Sequence, residues 1–229
     1  MNLISRLWPW MLLFPGFVFA HNISDANAQF VEGVQGAAIA PFLYLGAKHM
    51  VTGYDHLLFL VGVIFFLYRI KDVVLYVTLF TVGHSITLLG GVLGGFQVNA
   101  YLIDAIIGLS IVYKAFENMG GFPKLLHINP NTKVAVLVFG LFHGLGLATK
   151  LQEFSVSDDG LIANIISFNV GVEIGQFLAL SAILILLIQW RRHSSFSRHS
   201  FFANSLLMTG GFLLTFYQLG GFLLDPGNL

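Results

Sequence analysis

Seven ionisable side chains, His49, Asp55, His56, His84, Asp104, His143 and Glu173, stand in or beside segments that are otherwise almost pure hydrocarbon. Charged or titratable groups in such segments are costly in lipid, so they face a protein interior or a water-filled cavity. The sequence contains no cysteine, which excludes disulfides, thiolate metal sites and cysteine nucleophiles. Imidazoles and carboxylates without thiolates suit Zn²⁺, Ni²⁺ or Co²⁺, with water or substrate completing the shell. His49 and His56, seven residues apart, would share one helical face, although Gly53 can break the helix between them. Asp55 points elsewhere and suits a carboxylate that orients a ligating histidine. Asn169, Glu173 and Gln176 follow at i, i+4 and i+7 and form a polar stripe, while Gly140, Gly144 and Gly146 leave room around His143. Plain structural roles compete: His84, beside Ser85 and Thr87, fits a hydrogen-bonded core histidine equally well, and Asp104 fits a carboxylate favoured by a helix N-terminus.

The elements that must position these groups are membrane helices. Of 229 residues, 56% are hydrophobic and 10% charged, against roughly 25% charged in an ordinary soluble domain; the mean hydropathy is +0.82. Eleven Lys plus Arg balance eleven Asp plus Glu, so nothing points to nucleic acid as a partner. The fold class is all-α, a polytopic bundle in contact with membrane lipid. Residues 1–20 read as a cleaved secretory signal, with Arg6, a short apolar core and "VFA" before His21, and 21–229 as one transmembrane domain. Windows of about 17–25 apolar residues predict six spans, near 53–69, 73–93, 99–117, 133–150, 161–190 and 202–223, preceded by a short interfacial helix within 34–50.

Basic residues orient the bundle. Arg69 and Lys71, Lys124 and Lys133, and Arg191, Arg192 and Arg198 occupy alternate loops, whereas the loops 94–98 and 152–160 lack Lys and Arg, and the second carries Glu153, Asp158 and Asp159. The expected location is the bacterial inner membrane, with both ends of the mature chain periplasmic. At 1.5 Å per residue, Asp55 and His56 then lie about one turn from the outer end of the first span, with Asp104, His143, His84 and Glu173 about 8, 10, 13 and 18 Å deep. The groups are expected to line one cup open to the periplasm. Gly90 and Gly94, Gly140 and Gly144, and Gly171 and Gly175 are paired at the spacing that lets helix backbones approach closely.

The stretch "HMVTGYDH" (His49 to His56) resembles the H-x5-D-H signature of the HupE/UreJ family, membrane proteins associated with hydrogenase and urease gene clusters and regarded as nickel permeases. "FTVGHSITL", "FGLFHGLG" and "FNVGVEIGQ" are similar to further blocks of the family's second branch, and the likeness covers roughly residues 36 to 190. The resemblance implies metal handling at His49, Asp55, His56 and His143. Two positions depart from the hydrogenase-linked pattern: Lys150 stands where that pattern has a glutamate, and Gly146 where it has an alanine. Glu173 is the expected replacement for the missing carboxylate.

Two functions remain open at this stage. One is uptake of a divalent metal ion, nickel foremost, through a site built from His49, Asp55, His56, His84, His143 and Glu173, with Asp104, Asn169 and Gln176 as further polar lining. The other is an intramembrane zinc hydrolase, similar in layout to the alkaline ceramidase and progestin-receptor superfamily, with Asp55 or Glu173 as general base. Beside these two functions, a structural polar network serving a partner complex is a further reading. In each metal reading the ion, Ni or Zn, is the substrate or the cofactor; the sequence leaves self-association open.

Overall fold

The computed structural model describes residues 36–152 and 159–225. The expected signal segment 1–20 and the loop acids Glu153 and Asp158 lie outside the described residues. Those described are helical, with no strand among them: α1 (Ile39–Thr52), α2 (Tyr54–Ile64), α3 (Ile70–Gly94), α4 (Ala100–Asn118), a π-helical turn (Phe122–Leu126), α5 (Thr132–Gln152), α6 (Leu161–Arg191) and α7 (Ser194–Leu224). Local chemistry sets several ends. The Asn99 carboxamide accepts from the Leu102 N–H to cap α4, and the Asn131 carboxamide accepts from Lys133 and Val134 at the start of α5, satisfying amides that have no partner within a helix. α3 stops at Gly95, whose φ of 64° is the left-handed conformation a glycine adopts without cost.

Among the described residues four helices, α3, α5, α6 and α7, are long and apolar enough to cross a membrane. α4 has 19 residues but carries Asp104, Lys114 and Glu117. α7 begins at Ser194, earlier than the expected window near 202. The first expected span, near 53–69, corresponds to an 11-residue helix, α2, which rises only about 16 Å against a hydrocarbon core of about 30 Å.

The missing length is supplied by α1. The bundle is built from three close pairs, α1 with α6, α3 with α5, and α4 with α7. In the first, a Cβ at Gly46 would strike the Phe168 carbonyl, one at Gly171 the Leu43 carbonyl, and one at Gly175 would lie 2.5 Å from the Ala47 carbonyl oxygen. Asn164 also holds both Ala38 N–H and Gly36 C=O. Residue numbers rise together on the two sides, so α1 runs parallel to α6. Far along α6, the Arg191 guanidinium donates to the carbonyls of Ile64, Phe65 and Leu67 at 2.5–2.9 Å. Together α1 and α2 therefore follow α6 as one broken rod, residues 39–64, about 39 Å long. The segment expected to lie at the interface packs lengthwise because its glycine seam admits the α6 backbone.

The α3–α5 pair is parallel by the same reasoning: Phe80 meets Gly140, His84 meets Gly144, and Gly91 meets Ala148. α4 and α7 are antiparallel, with Tyr101 on Gly221, Gly108 on Thr215 and Asn118 on Asn204. Two of the three glycine pairs singled out in the sequence form seams. The third does not, since a Cβ at Gly90 would meet nothing within 4 Å.

Candidate metal centre

The break between α1 and α2 is one residue, Gly53, with extended torsions (φ −72°, ψ 105°). Its N–H donates to the His49 carbonyl at 2.9 Å, and its own carbonyl accepts from Leu57 at 3.0 Å, so both half-helices close their hydrogen bonds around it. Any residue tolerates these torsions; space is what selects glycine. A Cβ at 53 would lie 2.6 Å from His56 Nδ1 and 3.2 Å from Asp55 Oδ1. The C-terminal dipole of α1 favours a cation at this point, and Asp55 sits in the first turn of α2, where a carboxylate is favoured.

His49 and His56 sit on different half-helices, yet their rings meet edge to face at 5.0 Å. His56 is buried and its Nδ1 lies 3.2 Å from Asp55 Oδ1. His143, from the middle of α5, lies 5.2 Å from His56, ring to ring. Its Nδ1 is 2.7 Å from the Phe139 carbonyl. A carbonyl only accepts, so Nδ1 carries the proton and Nε2 presents its lone pair. That Nε2 is buried with no hydrogen-bond partner among the described residues. One ligand atom each from Asp55, His56 and His143 fall within 4.8 Å of one another. Ligands sharing one tetrahedral ion at about 2.1 Å stand about 3.4 Å apart, so capture needs a closure of up to about 1.4 Å. The donor set fits a borderline divalent ion.

The walls are aromatic. Phe59 and Phe80 pack on His143 at 5.4 and 4.9 Å, Phe139 packs on Phe59, and Phe168 of α6 packs on His49. His84 stacks on Phe80 at 6.2 Å, buried, with neither ring nitrogen hydrogen-bonded among the described residues. It lies within electrostatic reach of His49, His56 and His143. The cluster thus draws on α1, α2, α3 and α5. His143 is about 14 Å from one end of α5 and about 16 Å from the other. Asp55 and His56 are therefore at mid-bundle, not near the outer end of a span, because α1 fills the half of the rod that hydropathy assigned to the surface.

The remaining expected residues separate from this group. Buried Asp104 of α4 pairs with the largely buried Lys150 of α5 at 2.7 Å, and Gln218 of α7 approaches the same carboxylate at 3.4 Å. Asn169 accepts from Ser85 and Gln176 from Thr81, tying α6 to α3. Glu173 is exposed, in a lateral groove of about 430 Å³ with Thr78, Val82 and Phe177. Two further charges outside the expected set are Lys114, buried at 6% exposed, and Glu117, its partly buried ion-pair partner at 2.5 Å. Their signal was available as three charges in one 19-residue apolar helix.

Comparison with curated proteins and with solved structures gave no match. The match to the HupE / UreJ protein family extends over residues 25–225, taking in every described helix and every residue of the cluster, so the chain belongs to that family.

Proposed function

We propose that this protein is a divalent-metal permease of the bacterial inner membrane, with nickel as its substrate, and that the ion passes through His49, Asp55, His56 and His143, with His84 at the edge. The observation that carries the reading is the position of the Asp55–His56–His143 group at a break in a half-helix pair. Secondary transporters place ion sites near the midplane at discontinuous helices, where two half-helices move as separate bodies. Here one body is α1 on its glycine seam with α6. The other is α2, which Arg191 of α6 anchors at its far end only, so that its Gly53 end, with Asp55 and His56, pivots about that anchor. Movement at Gly53 changes the distance between His49 and the His56–His143 pair, which is what capture and release require.

By the charge asymmetry of the loops, ions enter from the side of the 152–160 loop. A groove of about 240 Å³ opens there between the α1–α6 and α3–α5 pairs, lined by Phe42, Gln97, Gln152 and Ile165. Accumulation of radioactive nickel by cells tests the reading. His56→Ala and His143→Ala should each lower it at least tenfold with unchanged protein in the membrane. Undiminished accumulation in both variants would contradict it. Stoichiometric zinc retained through purification, with no accumulation, would replace it by the metalloenzyme.

A further inference from the structure

Towards the basic-loop end of the bundle lies a second group of polar side chains, buried at Lys114 and partly buried elsewhere, that the histidine centre does not use. Lys114 Nζ donates to Glu117 Oε2 at 2.5 Å, and Thr132 donates to Glu117 Oε1, so both carboxylate oxygens are engaged. The side chains of Lys114 and Glu117 are 8% and 19% exposed. Tyr76 of α3 is within electrostatic reach of Glu117 and of the Thr132 side chain, and Tyr113 is within reach of Glu117. Asn118, next in the chain, donates to Gly62 C=O of α2 and to Asn204 of α7. Groups from three helices, α3, α4 and α5, thus meet at one carboxylate, and the neighbouring Asn118 ties α4 to α2 and α7.

The group is aligned with the metal centre. Thr132, Phe139 and His143 stand at i, i+7 and i+11 on one face of α5. The Phe139 ring contacts Tyr113, one turn from Glu117 on α4, and the Phe139 carbonyl holds His143. The two groups are about 16 Å apart along the bundle. Their donors differ: imidazole nitrogen dominates the first, and carboxylate and hydroxyl oxygen the second. Oxygen donors hold borderline transition metals less tightly than imidazole does, and a permeating ion must be bound weakly enough to leave. A buried lysine in a membrane helix is expensive and marks function by default.

We propose that Glu117, with Thr132, is a second cation station on the release side, and that the Lys114 ammonium is a tethered cation that an arriving divalent ion displaces from the carboxylate. The idea rests on the permease reading for the direction of travel, but the station itself does not need it. Manganese(II) binding, followed by EPR on purified full-length protein, addresses the station alone in a His56→Ala background that disables the histidine centre. Removing the tether with Lys114→Met should add one bound manganese per chain, and adding Glu117→Gln should abolish it. Lys114→Gln serves the same purpose if Lys114→Met is not monodisperse by size exclusion. In cells, Glu117→Gln alone should lower nickel accumulation at least tenfold while the purified variant keeps wild-type nickel stoichiometry. Manganese binding that is absent from the tether-free variants, or indifferent to Glu117, overturns the station, whatever the uptake result. Absent nickel accumulation in the wild type counts against the permease reading and leaves the manganese result to decide this one.

Discussion

Neutralising Asp104 should damage the metal centre without touching it. Lys150 is two turns from His143 on α5, about 10 Å along the helix, and it comes within electrostatic reach of His49. Its charge is cancelled by Asp104 at 2.7 Å, where the two side chains are 12% and 7% exposed. In Asp104→Asn the lysine charge is uncompensated. At an effective dielectric of about 20, one charge 10 Å from a divalent ion costs roughly 3 kcal/mol, or about two orders of magnitude in affinity. Breaking a buried pair also costs about 3–5 kcal/mol of stability, partly offset by the Gln218 carboxamide at 3.4 Å. Removing both charges in Asp104→Asn/Lys150→Met should restore affinity to within about tenfold of wild type. Stability should return to within about 2 kcal/mol. The assay is nickel titration calorimetry on the four proteins in detergent, alongside their denaturant unfolding. Affinity unchanged in Asp104→Asn, or losses that simply add in the double variant, would refute the reasoning.

Two further changes probe the rod. Gly53→Ala keeps an allowed backbone but needs His56 to move about 0.8 Å for a contact of about 3.4 Å, so metal affinity should fall at least tenfold while the unfolding midpoint stays within a few degrees; a silent substitution in titration would count against the break as the site's organiser. Arg191→Ala removes the donors to three carbonyls at the end of α2. It should cost about 3 kcal/mol, since helix-end carbonyls regain water and only part of three charge-assisted hydrogen bonds is lost, which denaturant unfolding in detergent measures.

The helical bundle was legible from hydropathy because 20-residue apolar stretches have few alternatives in lipid. The residue types of the centre were legible too, since His49, Asp55, His56 and His143 are costly where they stand. Depth was not. A hydropathy window starts where apolar residues become continuous, near Gly53, and the moderately apolar 39–52 segment reads as surface until its glycines meet those of α6. The 169–176 stripe failed for a geometric reason. Position 173 lies some 60° around α6 from 176, enough to turn Glu173 out to the groove while Gln176 and Asn169 face α3. Lys150 could not be read at all from its own helix, because its partner Asp104 is 46 residues away. The departure from the hydrogenase-linked pattern at Lys150 is thus matched by a counter-charge and not by Glu173.

X-ray absorption at the nickel edge of the purified, nickel-loaded protein tests the convergence of imidazoles at the Gly53 break most directly. One ion per chain with at least two imidazole nitrogens in its first shell, falling by one in His143→Ala and again in His56→Ala/His143→Ala, is the predicted result. A shell of oxygen alone, or one unchanged by those substitutions, would contradict it.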